Sequence, residues 1–287
     1  MRFGIVANPN KYAIKESLDI VSKWCNNTVH SLYFIKELNH LIVDNHERFV
    51  PCSSEAEVIQ QSDIIIAVGG DGTMLHAARL IGSSGIPVMG INTGRLGFLA
   101  TLQQENVIEA LNELVLGNYA TESRYFLSAE DQYGNQYCAL NEFLFSKKGT
   151  PAMITIEAWL DHQFINRYWA DGLIVASPTG STAYNLASNG PIVVPFADVM
   201  VLTPICPHTL TTRPMVVPGT SKLKLRVVTQ PHEVLFSYDG LVYEIETYPF
   251  EVTITRSTFT IQMIQLSGQS YFDTLRTKLM WGKDYRE

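Results

Sequence analysis

Short apolar runs alternate with helical spacings through roughly the first hundred residues, the pattern of a parallel α/β layer. Phe3 to Ala7 reads as a first strand. Ile14, Leu18, Val21 and Trp24 follow at spacings of three and four, as on one face of a helix. Ile64 to Val68 is an uninterrupted Ile-Ile-Ile-Ala-Val run, suited to a strand covered on both faces. Thr73 to Ile81 reads as a helix and Ile86 to Ile91 as a further strand. Glu105 to Leu116 reads as a helix that buries Val107, Ile108, Leu111, Leu114 and Val115.

From about Thr121 the texture becomes β-branched, aromatic and alternating, with frequent turn residues. The strands predicted there are Ser123 to Ala129, Tyr137 to Phe145, Ile154 to Leu160, Gln163 to Ala170, Leu173 to Ala176 and Val199 to Pro204. They continue with Lys222 to Val228, Val234 to Tyr238, Leu241 to Glu246, Glu251 to Thr255 and Thr258 to Gln265. A last helix runs from Tyr271 to Met280, with Leu275 and Leu279 at helical spacing. The expected organisation is an α/β domain over 1–120, a β-rich domain over 121–265, and a helix and tail over 266–287.

The length of 287 residues suits about two domains. Apolar residues at 46% and charged residues at 17% exclude disorder and collagen-like repeats. The net charge of −7, with no long Lys/Arg block, argues against gripping a nucleic-acid backbone. Cys25, Cys52, Cys138 and Cys206 lie far apart, with no C-x-x-C pair, so neither zinc nor a disulfide framework is expected. No signal-peptide pattern and no bilayer-length apolar run is visible, so a cytoplasmic protein without a membrane partner is expected.

Three segments concentrate chemistry. In the first, the strand Ile64 to Val68 runs into Gly69-Gly70-Asp71-Gly72, with a helix expected from Thr73. Free amides and the positive end of the helix dipole make such a start an anion site. The segment reads equally as a tight turn with an Asp cap. It is not a Walker loop, since no Gly-Lys-Ser/Thr follows. Asp71 in a phosphate cradle needs a task, either taking a proton from a hydroxyl or helping to hold Mg2+. The second segment, Asp171 to Asn185, carries the hydroxyls Ser177, Thr179, Ser181 and Thr182 around a Pro/Gly turn, with Tyr184 free to stack on a ring. It suits sugar hydroxyls or phosphates, or simply caps a helix. The third is Asn141-Glu142 within an apolar strand. At least one of the two needs a ligand or partner, unless a β-bulge turns them outward.

Taken in order, these segments resemble the NAD kinase family. The resemblance rests on Gly69 to Thr73, the Gly90-Ile91-Asn92-Thr93-Gly94-Arg95-Leu96-Gly97-Phe98-Leu99 run, Asn141-Glu142 and Asp171 to Tyr184. It continues through Leu202-Thr203-Pro204-Ile205-Cys206-Pro207-His208-Thr209-Leu210 and Arg213-Pro214, and extends from the first strand to about residue 260. The Gly-Gly-Asp-Gly-Thr element alone is also similar to lipid kinases and phosphofructokinases.

The resemblance implies an α/β N-terminal Rossmann-like domain plus a C-terminal β-rich (β-sandwich-like) domain, with a C-terminal helix packing back. It places the site in a cleft between the domains and implies a homo-oligomer, dimer or tetramer, whose neighbour completes the pocket. The implied activity is transfer of the ATP γ-phosphoryl to the 2′-hydroxyl of the adenosine ribose of NAD, with Mg2+ accompanying ATP and no dedicated protein metal site. Asp71 is then the general base and, with Gly72, binds the dinucleotide, and Gly69, Gly70 and Thr73 bind phosphate. His76 lies near the ligand, Asn141 and Glu142 bind ribose, and Asp171 marks the nicotinamide end. Thr182, Ala183 and Tyr184 meet adenine and ribose, and Asn185 and Ala187 complete the dinucleotide set. The chain departs from the family at Ala187, where Ser is usual, at Trp169, where a basic or polar residue is common, and at Leu241 in place of a frequent Gln. A lipid kinase and a noncatalytic dinucleotide sensor are the competing readings, and the donor is ATP or inorganic polyphosphate.

Overall fold

The computed structural model describes residues 1–42, 47–94, 96–149, 151–229, 234–245, 247–268 and 270–282. Its contacts divide the chain into two units, Met1–Ser123 together with Ile261 onward, and Arg124–Thr260. Residues 261–265, expected in the β-rich domain, therefore group with the first unit.

In the first unit β1 (Arg2–Ala7), β2 (Ser31–Ile35), β3 (Phe49–Cys52), β4 (Ile64–Gly69) and β5 (Val88–Asn92) form a parallel sheet in the order β3-β2-β1-β4-β5. The short β6 (Leu102–Gln103) adds to β5. All six residues of β4 are buried, as its continuous apolar run requires. The strand expected from Ile86 begins only at Val88, because Pro87 has no N–H to give a ladder and offers its carbonyl to Ile65 instead.

Four helices connect these strands: α1 (Lys15–Asn26), α2 (Glu55–Gln61), α3 (Asp71–Ile81) and α4 (Val107–Leu116). In α4 the buried residues are Val107, Ala110, Leu111 and Leu114. Ile108 and Val115, expected inside, are exposed, since each lies one position round the helix from that stripe. Glu105 and Asn106, expected as the start of α4, belong instead to a 3-10 turn over Gln104–Asn106. β2, β3 and α2 were absent from the sequence-based expectation. Ser54 caps α2 by accepting from the Glu57 amide at 3.2 Å.

The second unit is a β-sandwich, entered along β7 (Tyr119–Asp131). Its strands are β8 (Gln136–Ala139), β9 (Glu142–Lys147), β10 (Ile154–Leu160), β11 (Gln163–Ala170), β12 (Gly172–Ala176), β13 (Val199–Ile205), β14 (Met215–Pro218), β15 (Leu223–Val227), β16 (Val234–Tyr238), β17 (Leu241–Glu244) and β18 (Phe250–Leu266). A short α5 (Tyr184–Ala187) follows β12. One sheet runs β14-β13-β12-β9-β16-β17, and the facing sheet contains β11-β10-β15-β18 with β7 and β8. Ile156, Leu225 and Val252 from the latter share one core with Phe143, Phe145, Leu173 and Phe236. The Phe145 and Phe236 rings stack at 4.9 Å.

The single strand expected over Tyr137 to Phe145 is two strands, broken at Leu140–Asn141. β8 pairs with β7 in one sheet, while β9 pairs with β12 and β16 in the other. Conversely, the two strands expected over Glu251 to Thr255 and Thr258 to Gln265 are the one long β18. β17 ends at Glu244, and Glu246 lies outside the described residues. The far end of β18 returns to the first unit, where Met263 pairs with Val88. The chain then forms α6 (Tyr271–Leu279), capped by Ser270, with Leu275 buried and Lys278 5.5 Å from the Phe98 ring centre. No helix of the described residues is long and apolar enough to cross a membrane.

Candidate active site

In the order β3-β2-β1-β4-β5 the strand order reverses between β1 and β4, and ligands of open α/β sheets bind beyond the strand ends at such a point. The turn after β4 stands there. Gly70 is the N-cap and α3 starts at Asp71, two residues earlier than expected. The amides of Thr73 and Met74 close on the Gly70 carbonyl at 2.9 and 3.2 Å, so Thr73 does not offer the free amide expected of it. Among the described residues the amides of Asp71 and Gly72 have no partner, so the free donors of this helix start are at these two positions.

The glycines of the loop divide by what surrounds them. A Cβ on Gly69 would lie 2.2 Å from the Thr73 hydroxyl, so this glycine permits close packing of the turn on the helix. A Cβ on Gly70 or Gly72 would meet nothing within 4 Å. Neither is demanded by packing, and the space above both is open for an incoming group.

Asp71 is fixed from outside its own helix. Its Oδ2 accepts from the Phe98 amide at 2.9 Å, and its Oδ1 accepts from the Leu99 and Ala100 amides at 2.9 and 3.0 Å. A Cβ on Gly97 would stand 2.0 Å from Oδ1, so only glycine lets this loop reach the carboxylate. Buried Asn92 fastens the same loop, donating to the Ala100 carbonyl at 3.1 Å and accepting from the Gly94 amide at 2.7 Å. The Gly90 to Leu99 run thus has a defined job that sequence reasoning missed: it builds the cradle that orients Asp71. Arg95 lies outside the described residues. A carboxylate carries about four lone-pair sites, and three are taken by amides, which leaves one on Oδ2 for a proton or a ligand. His76, one turn further along, is held by Glu55 at the start of α2, with Nε2 2.9 Å from both carboxylate oxygens.

In the second unit the break between β8 and β9 is made by Asp239. Its carboxylate accepts from the amides of Leu140 at 2.6 Å, Asn141 at 2.9 Å and Glu142 at 3.3 Å. These amides turn away from the sheet ladder, and Asn141-Glu142 is presented at a corner. The Asn141 side-chain amide has no hydrogen-bond partner among the described residues. Glu142 Oε2 is buried without a partner, and burial, with the nearby Asp239 charge adding to it, pushes this carboxyl up to about 8. The polar pair flagged in the sequence therefore does carry an unmet group.

The 177–185 turn is locked onto the same corner. Ser177 donates from its amide to the Asn141 carbonyl at 2.8 Å and from its hydroxyl to the Leu140 carbonyl at 2.5 Å. A Cβ on Gly180 would fall 2.1 Å from the Asn141 carbonyl oxygen. Of the four hydroxyls expected to form a polar surface, Ser177, Thr179 and Ser181 are buried, with Ser177 donating to the Leu140 carbonyl and Ser181 donating to the Pro178 carbonyl and accepting from the Val193 amide. Thr182 and Ala183 are half-buried, while Tyr184 and Ala187 are exposed. The Tyr184 ring has no aromatic partner among the described residues.

Asn185, expected to contact ligand, lies inside the fold. It is completely buried, with Nδ2 donating to the Ser181 and Pro191 carbonyls at 3.0 and 3.1 Å and Oδ1 accepting from the Thr203 hydroxyl at 2.6 Å. Its amide is consumed in holding α5 to β13.

Asp171 pairs with Lys147 at 2.7 Å. β9 and β12 match Ala176 to Glu142 and Gly172 to Ser146, so Asp171 and Glu142 stand at opposite ends of this strand pair, roughly 13 Å or more apart. Trp169 stacks on His208 at 4.6 Å, and Leu241 is exposed on the edge strand β17. Residues of the Leu202 to Leu210 run thereby support the Trp169 position. A cavity of about 470 Å3 elsewhere in this unit is lined by residues that include Glu130, Lys222, Lys224 and Glu251, and by none of the candidate residues. Lys224 and Glu251 already satisfy each other at 2.7 Å.

The parallel sheet has open glycines and free amides at its switch point, features suited to phosphate oxygens, and the β-sandwich by itself carries an unmet carboxyl and amide, which places the chain in the class of α/β proteins with a nucleotide-type anion site. The comparisons agree with this class. The description "ATP-NAD kinase N-terminal domain" matches residues 3–119 and "ATP-NAD kinase C-terminal domain" matches residues 140–266. An NAD kinase from Flavobacterium psychrophilum is 40% identical over 253 residues, covering 86% of this chain and 85% of that relative. One from Cytophaga hutchinsonii is 37% identical over 276 residues, covering 90% and 93%. The chain belongs to the ATP-NAD kinase family. The fold is also that of yeast NADH kinase complexed with NADH, with a TM-score of 0.91, 21% identity, and coverage of 100% of this chain and 89% of that one. An NAD kinase from Archaeoglobus fulgidus in complex with ATP gives a TM-score of 0.78 at 24% identity, covering 98% and 99%.

Proposed function

We propose that the protein transfers the γ-phosphoryl group of ATP to the 2′-hydroxyl of the adenosine ribose of NAD, giving NADP and ADP, with Asp71 as the general base. The observation that carries this reading is the Asp71 carboxylate itself, fixed by three amides with one lone-pair site on Oδ2 unspent. A ribose hydroxyl is a weak nucleophile near neutral pH and gains from a positioned base. As the O–P bond forms and the bond to ADP breaks, the hydroxyl proton passes to Oδ2. The amides of Asp71 and Gly72 and the open glycine positions suit phosphate oxygens. In the second unit Asn141, Glu142 and the Tyr184 ring suit ribose and adenine, and Asp171 suits the nicotinamide end of the dinucleotide.

Among the described residues no three His, Cys, Asp or Glu side chains are grouped to hold a metal. A Mg2+ that arrives on the nucleotide is part of the same proposal. Mg2+ supplies charge neutralisation on the transferring phosphoryl group. Asp71 Oδ2 is the one candidate-site oxygen shared between the two tasks open to this residue, and we assign it to the proton.

The test is formation of NADP by purified protein from NAD, ATP and Mg2+, with NADH in place of NAD and inorganic polyphosphate in place of ATP as separate arms. Dinucleotide-induced thermal stabilisation without any phosphoryl transfer establishes the sensor instead. The dimer or tetramer and the cytoplasmic location belong to the same proposal, and are read by light scattering of the purified protein and by cell fractionation.

A further inference from the structure

Asp239 has an ordinary explanation that does not account for what it does. With Gly240 it forms the two-residue turn between β16 and β17, where Tyr238 pairs with Leu241 and both turn residues have positive φ, +45° and +80°. Asp-Gly is favoured in such a hairpin, but Asn-Gly serves at least as well. The turn therefore does not require a negative charge. Yet the carboxylate reaches three consecutive amides of a segment almost a hundred positions earlier in the chain, at 2.6, 2.9 and 3.3 Å. The last two of those residues are the Asn141-Glu142 pair.

Resting on the reading that this pair binds the acceptor dinucleotide, we infer that Asp239 is its positioning residue, acting on ligand only through Asn141 and Glu142. The three amide bonds fix where the pair stands. Burial, with the Asp239 charge adding to it, keeps the neighbouring Glu142 carboxyl neutral, so that it meets the acceptor as a hydrogen-bond donor.

The surroundings leave little else to do this. In the ladder Glu142 is flanked by Ala176 of β12 on one side and by the Tyr238-Asp239 turn of β16 on the other. The 177–182 turn brings hydroxyls and amides without a charge, and β8 brings Cys138 and Tyr137, both held in the neutral form by burial. The nearest ion pair on these strands, Lys147 with Asp171, is at their other end. Glu142 Oε2 has no partner of its own, and burial together with the Asp239 charge raises the carboxyl to about 8. An anionic dinucleotide beside two ionised carboxylates would be repelled, whereas a neutral carboxyl offers it an O–H.

The test compares the wild type with Asp239→Asn and Glu142→Gln. Asn keeps the hairpin and keeps Oδ1 as acceptor for two amides, so the fold is retained while the charge is removed. The Glu142 carboxyl is followed by carbon NMR titration, and NAD affinity is measured by calorimetry across pH 6 to 9.5. In the wild type, affinity holds up to about pH 8 and then falls. In Asp239→Asn both the carboxyl midpoint and the affinity midpoint move down by roughly one pH unit. Glu142→Gln binds with no pH midpoint in that range. A midpoint that stays in place in Asp239→Asn, or an affinity that rises through pH 8, overturns the inference. If wild-type protein binds no NAD and forms no NADP, the functional reading falls and takes the acceptor role with it. An unmoved midpoint in a protein that does turn over NAD removes the Asp239 role alone.

Discussion

Asp71→Asn separates the structural role of one carboxylate from its proposed role as base. As the proposed base it takes a proton. As a structural group it accepts from the Phe98, Leu99 and Ala100 amides. Asparagine keeps Oδ1, so two of those bonds survive as neutral ones, each weaker by about 1 kcal/mol than a bond to a charged acceptor. It places an NH2 group against the Phe98 amide, losing a charge-assisted bond of about 1.5–3 kcal/mol. Because the residue is only half-buried, the sum is discounted to about 2–4 kcal/mol of loop and global stability. Urea unfolding near pH 7.5 reads this as a lower midpoint with an unchanged slope. NADP formation under conditions where the variant is fully folded falls by about 10²–10⁴, the ordinary value of a general base. Gly97→Ala, whose Cβ would stand 2.0 Å from Oδ1, displaces the carboxylate without removing it and loses both stability and turnover. An Asp71→Asn protein whose stability lies within about 0.5 kcal/mol of wild type refutes the anchoring role. One with near-full turnover refutes the base.

Gly72→Ala is expected to act with opposite signs on stability and activity. Nothing lies within 4 Å of the added methyl and helices favour Ala, so stability rises by about 0.5 kcal/mol, while NADP formation falls at least about tenfold because the methyl occupies the phosphate approach. Asn185→Ala strips three buried hydrogen bonds and costs about 3–5 kcal/mol by urea unfolding. Its KM for NAD is expected to stay near wild type in the folded enzyme, and a large KM change at unchanged stability contradicts the structural role assigned to it. Glu142→Gln tests a pH dependence of stability. The carboxyl is raised from 4.5 to about 8 in the folded state, so between those values the native chain holds a proton that the unfolded chain has lost, and stability falls as pH rises until it levels above about 8. That fall, on the order of several kcal/mol, should vanish in the variant when Tm is compared at pH 5.5 and 8.5.

The parallel sheet was legible because β4 is apolar without interruption, and the sandwich because its strands alternate between turn residues. β2 and β3 escaped because each is short, although the Ser54-Glu55-Ala56-Glu57 signature of α2 was present in the sequence. The split between β8 and β9 could not be read locally, since the residue that causes it, Asp239, lies nearly a hundred positions away. Glu142 was legible as an anomaly, a carboxyl in an apolar run, and the structure finds its Oε2 without a partner. Asn185 was not legible, because a polar residue in a ligand-like motif has the same letter whether its amide serves a ligand or, as here, Thr203 and Pro191. The Gly90 to Leu99 run was recognised as a pattern, but its purpose needed the loop to be seen gripping Asp71.

The central claim is that this chain phosphorylates the 2′-hydroxyl of NAD with Asp71 as base. The most direct test incubates the purified protein with NAD, ATP and Mg2+ and follows products by phosphorus NMR, with Asp71→Asn alongside. The account predicts a 2′-phosphomonoester resonance growing in step with ADP for the wild type and at least about a hundredfold slower for the variant. ATP consumed without a 2′-phosphorylated dinucleotide, or no reaction by a protein that still binds NAD, contradicts it.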